Sequence, residues 1–239
     1  LKGELEADEC EGILEGLGEI IESGDSDVVR EAEGVRYLFL GRKLMDEGEM
    51  LEAGRNILNA RDKETDGWER WGYEFVERVV KRLEEYMAGG EFEKIAKMSI
   101  SICGSIDSAE RLKIWEFEIE TAAGGADLDA RESELCGFEG RDIDVKRCFG
   151  RVAMKNGEYK RAGRIWGEIN DYYSSIESGN DRSWEWWRSK YYEIFCLSKL
   201  KINAPERVIH SIEVLKSTFK GTFGIWEARF EELMRANMK

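Results

Sequence analysis

The chain has 239 residues, 42% hydrophobic and 36% charged, enough to bury a core without disulfide or metal staples. Its 50 Asp and Glu outnumber 36 Lys and Arg, and a net charge of −14 disfavours nucleic acid and anionic membranes as partners. No apolar run approaches the roughly 18 residues of a membrane-spanning helix, and the N-terminal residues carry no signal-peptide apolar segment. The five cysteines, Cys10, Cys103, Cys136, Cys148 and Cys196, are odd in number and lack CxxC spacing. Separate reduced thiols in a cytoplasmic or nuclear protein are therefore expected. Because the chain begins at Leu1 rather than Met, it is expected to be a processed product or a fragment.

Pro205 is the sole proline, and apolar residues recur at i, i+3, i+4 and i+7 rather than alternating, so helices are expected throughout. A first break falls at Ser23-Gly24-Asp25-Ser26-Asp27, where glycine ends one helix and Asp or Ser caps the next. Leu40-Gly41, Leu44, Gly48, Met50, Ala53 and Ile57 then form one helix–turn–helix unit. After a break at 62–67, Trp68, Trp71, Phe75 and Val79 make an apolar stripe. Tyr86, Gly90, Phe92, Ile95 and Ser99 read as a partial second unit, and Gly125, Leu128 and Leu135 as a weak third.

The clearest unit runs from Cys148 to Trp166. Gly150 is expected to let the paired helix approach, Gly157 to make the tight turn, Ala162 to sit at the crossing, and Tyr159 and Trp166 to fill the groove. Beyond a break at 178–181, Trp184, Trp187, Tyr191 and Phe195 share a face. A turn at Asn203-Ala204-Pro205-Glu206 opens a last repeat helix to about Lys216, carrying Val208 and Ile212. Turns at 48, 90, 125, 157 and 203 scatter about the ~34-residue period of tetratricopeptide repeats, which the 148–166 unit resembles. The expected fold is all-α: tandem helical hairpins in an irregular tetratricopeptide-like α-solenoid. It is read as one array over 1–239, with N-terminal helices and first repeat at 1–66, central repeats at 67–176 and C-terminal helices at 177–239.

Residues 144–238 also resemble a specific family. Lys146, Gly150, Tyr159-Lys160-Arg161-Ala162, the Trp187–Tyr192 stretch, Cys196-Leu197, Arg207-Val208-Ile209 and Ile225-Trp226-Glu227-Ala228-Arg229-Phe230 carry the likeness, with Gly90–Lys94 as a preceding repeat. They resemble the helical-repeat part of the proteasome regulatory-particle lid subunit with a paralogue in the signalosome, a family ending in a PCI winged-helix domain. The resemblance implies a non-catalytic subunit packed against sister subunits and the ATPase base. It also implies a winged helix after Phe230 and a longer segment between Leu128 and Lys146 than this sequence has.

No motif nominates an enzyme. His210, the sole histidine, pairs at i, i+4 with Glu206 but has no further ligands, and Gly124-Gly125 leads into Ala126-Asp127 rather than a phosphate-loop Lys. No catalytic residue, metal, cofactor or small-molecule substrate is expected. Two features stand out as candidate protein interfaces. Trp186, in Trp184-Glu185-Trp186-Trp187, lies at the margin of its stripe: it either thickens an aromatic core or belongs to an exposed docking patch. Lys155, Lys160, Arg161 and Arg164 form a basic run in an acidic chain, either as solvated charges or as contacts to an acidic partner. The expected function is an interaction scaffold in a multiprotein assembly such as the proteasome lid; a free co-chaperone-like peptide adaptor and a vesicle-coat subunit are the alternatives.

Overall fold

The computed structural model describes residues 7–23, 26–106, 110–124, 134–135, 137–138, 142–177, 182–200, 204–219 and 223–238. Among them are twelve α-helices and no strand, so the chain is all-α. The helices are α1 (Ala7–Ser23), α2 (Ser26–Glu47), α3 (Met50–Asp62), α4 (Trp68–Lys81), α5 (Leu83–Ala88), α6 (Phe92–Cys103) and α7 (Glu110–Ala123), followed by α8 (Asp142–Lys155), α9 (Tyr159–Ile176), α10 (Trp184–Ser198), α11 (Ala204–Thr218) and α12 (Trp226–Asn237). None of the described helices is long and apolar enough to cross a membrane. The chain folds as two compact units, Leu1–Ala123 and Gly124–Lys239, and the subdivisions read from sequence at 66 and 176 fall within them.

In the first unit helices pack on near neighbours in sequence, with the short α5 skipped by α3: α2 meets α3 and α4, α3 meets α4 and α6, and α4 meets α6 and α7. That order follows from the amphipathic faces. Phe75 and Val79 of the α4 stripe are fully buried and Trp68 nearly so, in one core with Ile57, Leu83, Ile102 and Trp115. The second unit pairs α8 with α9, α9 with α10, and α10 with both α11 and α12. Its core is aromatic, with Trp166 against Tyr192 and Trp187 against Phe219 and Phe223. Val208 and Ile212 are fully buried, as expected of α11.

Both well-formed repeats take the expected geometry. α2 ends at Gly48 (φ 86°), where the Gly48 amide donates to the Met45 carbonyl (3.3 Å) and the Glu49 amide to that of Leu44 (2.8 Å). α8 ends at Gly157 (φ 76°), where the Gly157 amide donates to the Met154 carbonyl (3.1 Å) and the Glu158 amide to that of Ala153 (2.8 Å). These are matching Schellman closures, each needing a left-handed residue that glycine supplies without strain. Gly41, Gly48, Met50, Ala53 and Ile57 recur at one constant offset as Gly150, Gly157, Tyr159, Ala162 and Trp166. At each crossing a missing side chain is what admits the partner. A Cβ on Gly41 would lie 3.1 Å from Ile57, and one on Gly150 would lie 2.8 Å from the Trp166 ring.

The partial repeat at Tyr86–Ser99 keeps Ile95 and Ser99 buried, but Gly90 does not take the left-handed conformation. Of the weak repeat at 125–135 only Leu135 is described, and it is buried; Gly125 and Leu128 lie outside the described residues. So do Gly24, the break at 178–181 and Asn203. Cys103, Cys148 and Cys196 are buried. Burial pushes the Cys103 thiol up and that of Cys196 to about 12, so both stay protonated and poorly nucleophilic near neutral pH. Cys136 and the Cys10 side chain lie outside the described residues.

Gly150→Ala should destabilise the fold by about 1–3 kcal/mol through the clash with Trp166. Gly16→Ala, on an open face of α1 with no atom near its Cβ, should stabilise it by up to about 1 kcal/mol. Urea unfolding followed by circular dichroism reads both, and equal effects of the two changes would refute the crossing argument.

Candidate protein-docking site

The tip of the α8–α9 hairpin and the C-terminal end of α10 enclose an open depression of about 810 Å³, lined by Gly157–Arg161, Arg164, Lys199 and Leu200. The floor has an apolar part. Half-buried Tyr159 meets the Phe195 ring edge-on, with centroids 6.5 Å apart, and Leu200 lies exposed beside it. The rim is cationic: Lys160, Arg161, Arg164 and Lys199 against the single carboxylate of Glu158.

The cations differ in how firmly they are held. Arg161 Nη1 donates to Glu158 Oε2 at 3.0 Å. Arg164, with its side chain 75% exposed, only approaches Glu168, at 4.0 Å. Glu168 is already engaged, because Lys146 Nζ donates to it at 2.7 Å and holds its carboxyl below the usual range. Lys199 Nζ lies 4.9 Å above the Phe195 ring. Lys160 is exposed and has no ion-pair partner among the described residues.

The position of these charges is costly for the helix that bears them. Lys160 and Arg161 occupy the first turn of α9, which contains no acidic residue. Unpaired amides already concentrate positive potential at a helix N-terminus, so each added cation there costs about 0.3–1 kcal/mol at low ionic strength. The matching helix of the first unit, α3, carries Glu52 in its first turn instead.

The equivalent place on the first unit is also a depression, smaller at about 300 Å³, between the α2–α3 tip and the end of α5. Its charged lining is Glu49, Glu85 and Glu91, with no cation. The same backbone turn thus presents opposite charge in the two units.

Three of the four interface residues expected from sequence, Lys160, Arg161 and Arg164, come together at the basic depression, and Lys155 lies at the end of α8 on the other side of the turn. Lys199 joins them from a distant stretch of chain, and no local sequence signal marks it. Trp186 does not belong to the site, and its reading as an exposed docking residue is corrected. It is only 4% exposed. α10 is covered by α9 on one side and by α11 and α12 on the other, so the margin of its apolar stripe is buried as well. Trp186 Nε1 donates to Ser174 Oγ at 2.8 Å, its ring packs on Trp187 and Phe219, and Arg182 lies 5.3 Å above it.

His210 is exposed on α11, and among the described residues no group of three or more His, Cys, Asp or Glu is placed to hold a metal ion. In comparisons with known proteins, no family model, no curated protein and no solved structure matches this chain.

Trp186→Ala should cost about 3–5 kcal/mol of stability. Lys160→Glu should leave stability unchanged or raise it by about 0.3–1 kcal/mol at low salt, because a carboxylate suits the start of α9. Chemical unfolding in low-salt buffer separates the two, and a clear loss on Lys160→Glu would mean that the lysine has a structural role.

Proposed function

We propose that this chain is a non-catalytic protein-interaction scaffold, a subunit whose stacked helical hairpins form tetratricopeptide-like rungs and dock acidic protein surfaces at the basic depression. The observation that carries this reading is the four-cation rim around Tyr159 and Leu200 in a chain of net charge −14. A basic spot in an acidic field does not attract polyanions at long range, since the surrounding charge repels them. It favours a short acidic stretch that fits the spot and presents an apolar side chain to the floor. A hairpin rung cannot bury its apolar face alone, so a stacked array leaves its tips and outer faces as the surfaces for partners.

A fluorescein-labelled peptide with several Glu or Asp around one Leu should bind the intact chain in an anisotropy titration. Lys160→Glu/Arg164→Glu should weaken it by roughly tenfold or more, and added salt should weaken it too. Equal affinity for the variant would remove the depression as the site.

The likeness of residues 144–238 to proteasome lid subunits makes a lid-type assembly the complex to look for. Affinity purification from the native source should return lid components in stoichiometric amounts. Recovery of chaperones alone would favour the adaptor reading, and recovery of coat subunits the vesicle-coat reading.

A further inference from the structure

We propose that the chain associates with copies of itself head to tail, the acidic α2–α3 tip of one copy seating in the basic depression of the next. This rests on the reading of that depression as a docking site and names its occupant. The tip is formed by Asp46, Glu47, Gly48 and Glu49, all exposed. Gly48 keeps its apex free of a side chain. The tip closes with the same two Schellman hydrogen bonds as the turn that borders the depression.

Its charges complement the basic rim, and they too sit against the local field. Asp46 and Glu47 occupy the last turn of α2, which has no basic residue, where the helix end is already negative. Asp46 is held by Arg78 Nη2 at 2.8 Å and approached by Arg42 at 3.9 Å, whereas Glu47 is approached by Lys43 at 3.9 Å. Glu49 has no ion-pair partner among the described residues. Glu47 and Glu49 on a narrow turn therefore match four cations around a depression, and the contact relieves the cationic start of α9, while at the end of α2 Arg78 already holds Asp46 and donates to the Met45 carbonyl at 3.0 Å.

At −14 two copies repel on average, so such a contact forms only in the orientation that joins the opposite patches. Because donor and acceptor surfaces differ, the contact is heterologous, and it propagates as a chain of copies or closes as a ring.

Sedimentation velocity of the full chain tests this. In about 10 mM salt the weight-average sedimentation coefficient should rise with protein concentration, and in about 0.5 M salt it should not. Glu47→Lys/Glu49→Lys and Lys160→Glu/Arg164→Glu should each abolish the rise while keeping the helical circular dichroism. An equimolar mixture of the two variants should associate again, since a basic tip then meets an acidic depression and the unaltered pair also remains. A wild-type monomer at every concentration, an association indifferent to the variants, or a mixture that stays monomeric would overturn the proposal. If the labelled acidic peptide still binds at the depression in that case, only the self-association falls. If the peptide fails as well, the docking site falls with it.

Discussion

The fold rests on helices crossing where one of them has no side chain. The indole of Trp166 comes within 2.8 Å of where a Cβ on Gly150 would be, and the Ile57 side chain within 3.1 Å of where one on Gly41 would be. Close approach at these points lets Ala162 and Ala53 become fully buried and carries the following helix across at a fixed height. In the second unit the remaining space is filled by large aromatic groups, with Trp166 donating to the Met154 sulfur at 3.2 Å and stacked obliquely on Tyr192. In the first unit the smaller Ile57 takes the corresponding place, in a core that also holds Trp68, Phe75 and Trp115. One backbone solution thus tolerates two very different fillings, provided that the glycine stays.

A fixed backbone frees the tip residues from structural duty. The Schellman closures at 48 and 157 are made by main-chain amides and carbonyls, so the side chains around them can take any charge without altering the turn. That freedom is what allows Glu49, Glu52 and Arg55 to stand where Glu158, Arg161 and Arg164 stand in the other unit. In the first unit these residues neutralise each other, since Arg55 and Glu52 form an ion pair. In the second the corresponding positions are both arginine.

Much of this was legible in the chain. Glycine, small and large apolar residues at three- and four-residue steps gave the helices and both good repeats, because those positions are dictated by the crossing itself. The basic run was legible for the same local reason: Lys160 and Arg164 are one helical turn apart. Lys199 was not, since it reaches the depression only through the packing of α9 on α10. Trp186 stayed open between core and docking patch because a stripe drawn on one helix assumes a single buried side, whereas α10 is covered from two and the core reading holds. The spacing of the turns obscured the constant offset between the two good repeats, since the degenerate rung at 90 lies between them and lacks a left-handed glycine.

The degenerate rungs and the misplaced charges bear on the same point. Helices selected only for stability would favour acids at their starts and bases at their ends, yet the first turn of α9 carries Lys160 and Arg161, and α2 ends with Asp46 and Glu47. These choices are individually small, within about 1 kcal/mol each, and the large aromatic core of the second unit can offset them. Arg161 and Asp46 are locally compensated, by Glu158 and Arg78, whereas Lys160 and Glu49 have no ion-pair partner among the described residues, and a local rule left uncompensated marks a residue whose partner is elsewhere. Here both breaches fall at hairpin tips that border open depressions, and their signs are opposite. The same two surfaces would have been electrostatically quiet had each helix carried conventional ends, so what distinguishes the tips is charge set against the backbone's own field.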